Sequence, residues 1–499
     1  MLLQNVPVIT LLILIPLIGA IIAFMLGKNP KASKIVALVF TLIPLAISVL
    51  LLADFSLTVG TFQYVEDFTW ISSLGISYKV GVDGISIAMV FLTTLLSFLA
   101  VLFSWDVDER THQYMGLMLI LEVGVMGVFT AMDYFLFYVF WEVVLIPMYF
   151  LIAVWGGPRR AYASIKFFIY THIASLVMLL GILALYFEAA THLGYHTFDI
   201  QQIASVSGQF GQFFQIVVFG ALFFGFIVKM PMVPFHTWLP DAHVEAPTAG
   251  SVLLAGLLLK MGSYGIIRIC LPTLPYGANQ YQIVMVIIAI VSILYGAIMC
   301  LAQKDLKKMV AYSSISHMGI VMLGIATLGE LGIAAAVFQM FAHGLITAVL
   351  FMMCGIVGHH VGTRNMPRLG GLAAKMPYAA VFMMIGFMAS LGLPGMVGFL
   401  AEFSVFVATF DAFGWLLLLP IISVAITAAY YIWAMQKTLF GPLTKEVDLE
   451  HVHDITWFEA APLVILSALI VLFGILPALI FDYITPSVKL LTAVVLGGA

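Results

Sequence analysis

The run GFIVKMPMVPFHTWLPDAHVEAPT (Gly225 to Thr248) sets Lys229 in a strongly apolar stretch beside two prolines, and follows it with His236, Asp241, His243 and Glu245. A charged side chain at the centre of a bilayer costs at least ~2.5 to 3.5 kcal/mol on insertion scales, so an ionisable group at that depth points to function. Six more stand in comparable positions: Glu122, Glu142, Lys260, His317, His343 and Glu402. At 1.5 Å per helical residue, Lys260 lies about 20 Å past Pro247, His343 about 18 Å past Leu331, and Glu122, Glu142, His317 and Glu402 about 14 Å from their helix ends. The seven share roughly one plane. Carboxylates, lysines and histidines in such a plane suit proton transfer: histidine titrates near neutrality, and at low dielectric each charge shifts the next. The row Glu142, Lys229, Lys260, His317 or His343, Glu402 reads as a proton path running partly along the membrane. His236, Asp241, His243 and Glu245, in a connection without Lys or Arg, read as its entrance or as a polar loop of caps and turns.

Each of these residues also has a plainer reading. Glu142 and Lys229 can be a buried pair kept for packing. Lys166, six residues beyond Arg160, is placed to snorkel to the headgroups. Arg268 reads as an interfacial anchor, His172 as a hydrogen-bonded core histidine, and Lys437 as either a member of the plane or a cap on the thirteenth helix.

The elements that must carry these groups follow from composition. Of 499 residues, 63% are hydrophobic and 9% charged, against about half and about a quarter in a soluble domain. Apolar runs of roughly 20 residues, enough to cross a membrane as helix, fall near 3–26, 33–53, 81–104, 113–131, 133–154, 162–188, 213–241, 247–270, 280–302, 306–327, 331–360, 377–411, 415–439 and 456–480. The expected fold is an all-α polytopic membrane protein of about fourteen helices. The first run has no basic start or cleavage signature and reads as a retained helix. Fourteen of the 20 Lys and Arg fall in the odd-numbered connections, and Lys79 and Arg268 alone in the even ones. The odd connections are therefore expected to be cytoplasmic, with both termini outside.

Two spans are interrupted, the seventh by MPMVP and the twelfth by LGLPGMVG. Proline removes a backbone donor and breaks a helix, and paired broken helices point to a transport site. Glu402 follows Lys229 by 173 residues and His317 follows Glu142 by 175, so helices four to eight map onto nine to thirteen. An odd number of spans separates equivalents, which inverts the two five-helix repeats in the membrane. The same shift carries Lys260 toward Lys437. The segments are 1–112, an N-terminal three-helix segment; 113–270 and 280–440, the two repeats; and 441–499, a C-terminal transmembrane helix. Three scattered cysteines without C-x-x-C signal neither an iron–sulfur cluster nor a disulfide framework. Nucleotide and phosphate loops are absent, and no metal site is read.

FYVFWEVVLIPMYFLI, VKMPMVPFHTWLPDAHVEAPTAGSVLLAGLLLKMGSYGIIR, QKDLKKMVAYSSISHMG, FQMFAHGLITAVLFMMCG and LGLPGMVGFLAEF together resemble the antiporter-like subunits of respiratory complex I, chain M or subunit 4 type, over essentially the whole chain. The resemblance implies a proton channel in the inner membrane, driven by redox chemistry elsewhere in a complex. Glu142 and Lys229 then match the family's ion pair, Lys260 its central lysine, His317 and His343 its linking histidines, and Glu402 its terminal carboxylate. Glutamate in the twelfth helix favours the M type over its L and N siblings, and the lateral C-terminal helix of the L type is expected to be missing. Flavin (FMN or FAD) and iron–sulfur clusters are expected in partner subunits, none in this chain. The implied partners are other antiporter-like and small membrane subunits, a peripheral electron-transfer arm, the lipid bilayer and protons, with no nucleic acid. Donors across such complexes include NADH, ferredoxin and a reduced deazaflavin. The alternative is a subunit of an Mrp-type cation/proton antiporter.

Overall fold

Short polar side chains start the apolar helices. Asn29 accepts from Ala32 N at 3.1 Å, Asp133 from Phe135 N at 2.8 Å, and Asp305 from Lys308 N at 2.9 Å, each satisfying a donor the first helical turn leaves open. The computed structural model describes residues 3, 6–27, 29–442 and 452–497; Lys28 and Lys445, two of the basic loop residues, lie outside them. Its principal helices are α1 (Val8–Met25), α2 (Pro30–Asp54), α3 (Gly84–Phe103), α4 (Thr111–Thr130), α5 (Tyr134–Trp155), α6 (Arg160–Leu193), α7 (Gln212–Lys229), α8 (Trp238–Glu245), α9 (Thr248–Thr273), α10 (Pro275–Leu301), α11 (Leu306–Ala326), α12 (Glu330–His360), α13 (Pro377–Ser390), α14 (Val397–Phe413), α15 (Leu418–Thr438), α16 (Trp457–Ile475) and α17 (Ala478–Gly497).

By length and composition, 14 helices qualify to cross a membrane, with Val397–Thr438 taken as one and Ala478–Gly497 included. Packing redistributes them without changing the number. Gly414, at φ 58°, divides α14 from α15, so that stretch holds the second half of the twelfth span and the whole of the thirteenth. By contrast, α17 lies across one end of the bundle: the Tyr483 hydroxyl donates to Leu52 O at 2.9 Å, and Ser487 Oγ meets Gly60 O and Gly84 N, each at 2.9 Å. The expected spans end at residue 480, so this helix is additional to them. A second departure from an all-α chain is the antiparallel hairpin of β1 (Gln63–Ile71) and β2 (Ile76–Val82), where Phe68 faces Tyr78. QYVEDFTWI is rich in the β-branched and aromatic residues that favour a pleated surface.

The alternation of spans sorts the connections as expected. At one end Lys34 meets Asp108 at 2.8 Å, Trp155 Nε1 donates to Glu109 O at 2.7 Å, and Arg364 meets Asp305 at 3.6 Å. These residues all belong to odd connections or the helix ends beside them. At the other end Lys79 pairs with Asp199 at 2.5 Å and Arg268 with Asp83 at 2.6 Å. Arg268 is thus not a headgroup anchor. It is buried, lies 4.7 Å over the Phe62 ring and joins α9 to the capping residue of α3.

Burial sorts the helices into a centre and a rim. In α6 the exposed residues Ile165, Ile169, Ile173, Leu176 and Leu180 form one apolar stripe, the face a helix turns toward lipid or a neighbouring subunit. In contrast α9, α11 and α12 are buried almost completely. Small residues allow this: Gly256 of α9 and Gly344 of α12 face each other's backbone, and a Cβ on Gly262 would lie 2.5 Å from Phe226 O of α7. Close backbone approach through glycine is the usual way helices pack where lipid supplies no hydrophobic contrast.

Candidate functional site

The three central helices carry Lys260, His343 and His317. Lys260 sits between two stretches of π-helix, Leu254–Leu258 and Ile266–Cys270. The wider turn leaves Ala255 O to accept from the lysine ammonium, which also meets His343 Nδ1 at 2.6 Å. The His343 and His317 rings have centroids 5.6 Å apart. His317 Nδ1 lies 2.9 Å from Glu402 Oε1, and its Nε2 lies 3.1 Å from Ser390 Oγ.

These contacts tie both halves of the twelfth span to His317, because Ser390 ends α13 and Glu402 stands on α14. The break between them holds Gly392 and Gly395 at φ 82° and 90°, conformations open to glycine but not to most L-residues. A polar branch continues from Ser390 to the Tyr431 hydroxyl at 2.6 Å, and from there to Ser313 Oγ at 3.1 Å. Lys260, His343, His317 and Glu402 are each at most 7% exposed, so the row is closed off from the surface.

The other break ends α7 at Lys229. Its ammonium lies 5.2 Å from the Trp141 ring centroid and 5.9 Å from that of Phe167. Glu142 lies near enough to act on Lys229 through its charge, but the two make no direct ion-pair contact among the described residues. Neighbouring positions on α5 point about 100° apart, so Trp141 faces α7, 5.5 Å from Phe226, while Glu142 faces α6. There Glu142 Oε2 meets His172 Nδ1 at 3.2 Å and Oε1 accepts from the Ser175 hydroxyl. His172 is thus hydrogen-bonded as expected, but to this carboxylate and with its side chain 38% exposed rather than in the core.

The connection after the break is not free of basic groups once folded. Asp241 pairs with Lys166 at 2.8 Å, and Glu245 accepts from Arg159 N at 2.9 Å with Arg159 Nε 3.4 Å away. Lys166 is thus bound rather than snorkelling. Lys307, buried, donates to Ala246 O at 2.6 Å in the same connection. His236 packs on Tyr295 and His243 stacks on Phe351, with centroids 4.8 Å and 4.5 Å apart. Neither nitrogen of His243 and neither oxygen of Glu122 has a hydrogen-bond partner among the described residues. Lys437 is exposed in the last turn of α15, away from the buried row. Arg159 still faces Asp241 at 3.7 Å once Lys166 is removed, so Lys166→Ala is expected to retain most proton pumping. A loss equal to that caused by removing Lys229 would place Lys166 in the row instead.

Residues 131–427 match a family described as NADH:quinone oxidoreductase/Mrp antiporter, transmembrane. The chain belongs to this family. The F420H2 dehydrogenase subunit M of Methanosarcina mazei is 43% identical over 484 residues, 95% of this chain and 96% of that protein. The NADH-quinone oxidoreductase subunit M of Rhodobacter capsulatus is 42% identical over 476 residues, 93% and 91% of the two. Among solved structures, a chain of respiratory complex I from Thermus thermophilus with bound NADH superposes with a TM-score of 0.88, at 28% identity and covering 98% of this chain and 99% of that one. Within this family fold, sequence reasoning passed over Ser175, Ser390, Tyr431 and Lys307 as site residues. Ser175 stands three residues after His172, on the same helix face, and Ser390 immediately precedes the LGLPG break.

Proposed function

We propose that this chain is a proton-translocating membrane-arm subunit of a complex I-like oxidoreductase. The observation that carries the reading is the buried row Lys260, His343, His317 and Glu402, which runs from the centre of the molecule to the broken twelfth span. With Nδ1 accepting from Lys260, the His343 proton resides on Nε2, which meets no acceptor among the described residues. The 5.6 Å between the His343 and His317 rings is a gap that one water can bridge. Lys229 and Glu142 with His172 extend the path toward α6. His236, Asp241, His243 and Glu245 supply the entrance, where Lys166, Arg159 and Lys307 set the local charge.

The two five-helix repeats, 113–270 and 280–440, are supported by the two breaks and by the unusual length of both α6 and α12, 34 and 31 residues, each preceding a broken span. The end bearing the odd connections is the cytoplasmic face. Electron transfer takes place in partner chains that hold the flavin and iron–sulfur clusters, and the remaining partners are further membrane subunits. Identity of 43% and 42% to two oxidoreductase M subunits, over nearly the whole chain, favours this over an Mrp-type antiporter. Membrane vesicles holding the intact complex test the choice: proton movement is expected only while electrons flow, and to vanish with a redox inhibitor. Proton movement driven by a sodium gradient alone, without electron flow, would instead support the antiporter reading.

A further inference from the structure

At the end of the bundle bearing the odd connections, His359 and His360 close α12, and Glu459 stands in the first turn of α16. One ligand atom from each of the three lies within 4.8 Å of the others. His360 Nδ1 lies 2.8 Å from His453 O, so it carries a proton and donates. That leaves Nε2 of the neutral ring as a lone pair, and it faces Glu459 Oε1 at 3.0 Å. Two acceptors at this distance need a cation between them or a second proton on the imidazole. Glu459 is also fixed from behind, since Oε2 accepts from Thr456 N at 2.8 Å and from the Thr456 hydroxyl at 2.9 Å, turning Oε1 toward the histidine.

We propose that His359, His360 and Glu459 bind a divalent cation of the zinc type. Two imidazoles and one carboxylate form a donor set that zinc accepts, with water in the fourth position. A ligating histidine that donates its other N–H to a backbone carbonyl is the arrangement that fixes the tautomer for metal binding. The position suits a positive ion as well, because the last carbonyls of the 31-residue α12 carry partial negative charge. Glu459 is 7% exposed, so its charge is largely withdrawn from water, whereas His359 is exposed and its ring is free to close on the ion. A bound ion ties α16 to the end of the helix that carries His343, 17 residues or about 25 Å further in. The site stands independently of the proton reading.

The test uses the intact complex, stripped with a chelator and titrated with Zn2+, with bound metal counted by atomic absorption. Wild type is expected to hold one more zinc than His359→Ala or Glu459→Gln, and each variant to bind at that position about tenfold more weakly or worse, the scale on which metal-site changes act. Equal zinc uptake and affinity in wild type and His359→Ala overturns the site and leaves His360 and Glu459 as an imidazolium–carboxylate pair. Glu459 also caps α16, so if Glu459→Gln fails to assemble, the exposed His359→Ala decides alone.

Discussion

With Lys229 replaced by alanine, electron transfer and proton pumping are expected to fall together by roughly a hundredfold, the lower end of what a positioned proton-transferring side chain contributes. The complex is expected to assemble as before. Lys229 is buried, and its ammonium rests on Trp141 and Phe167 rather than on a carboxylate. Glu142, the nearby carboxylate, keeps His172 and Ser175 as partners when the lysine is removed, and the desolvation of a buried cation is relieved. The packing of α7 on α9 depends on Gly262 against the Phe226 carbonyl, one turn away, and does not need the lysine. Both rates are to be measured in vesicles against the amount of complex present. Wild-type pumping in the variant would make Lys229 a structural charge. Lost assembly would show that the cation holds the α5, α6 and α7 contact together.

The second large effect is expected at Glu402→Gln. Glutamine keeps the volume and can still accept from His317 Nδ1, so α14 stays docked on α11; what it loses is the capacity to take up and release a proton. Coupled turnover is expected to drop by about a hundredfold with assembly intact. Glu402→Asp should recover part of it, because the carboxylate remains but no longer spans the full 2.9 Å contact. Wild-type turnover in Glu402→Gln would mean that proton transfer bypasses this carboxylate. Proton pumping by an assembled complex is the readout in both cases, since assembly alone would not distinguish a relay from a packing role.

Much of this architecture was legible in the sequence because the membrane makes helix ends and buried charges conspicuous. Apolar run length located the fourteen crossings, and MPMVP and LGLPGMVG marked both breaks. Lys260, His317, His343 and Glu402 stand in one buried row, as depth counting along separate helices suggested. What escaped depended on angle rather than depth. Glu142 and Trp141 are neighbours in sequence, yet only the tryptophan faces Lys229, and run length carries no information on which way a residue points. Lys166 and Asp241 are 75 residues apart, so their pairing required the tertiary fold. The helix Ala478–Gly497 is apolar enough to pass for a span, and its sideways course is set by contacts at Tyr483 and Ser487. The β-hairpin lay in a stretch too polar for a span and too short to draw notice.

The two breaks are electrically unlike. Lys229 is the last residue of α7, where the final carbonyls of a helix favour positive charge. Glu402 leans back from α14 toward the break, its Oε2 3.5 Å from where a Cβ on Gly392 would lie, close to the end of a helix that favours negative charge. An acid at 229 and a base at 402 would each oppose the local field, so the two side chains cannot be exchanged. The two breaks thus give the buried charges a built-in sense, basic at one and acidic at the other. A charge moving between them meets a different environment according to the end from which it starts.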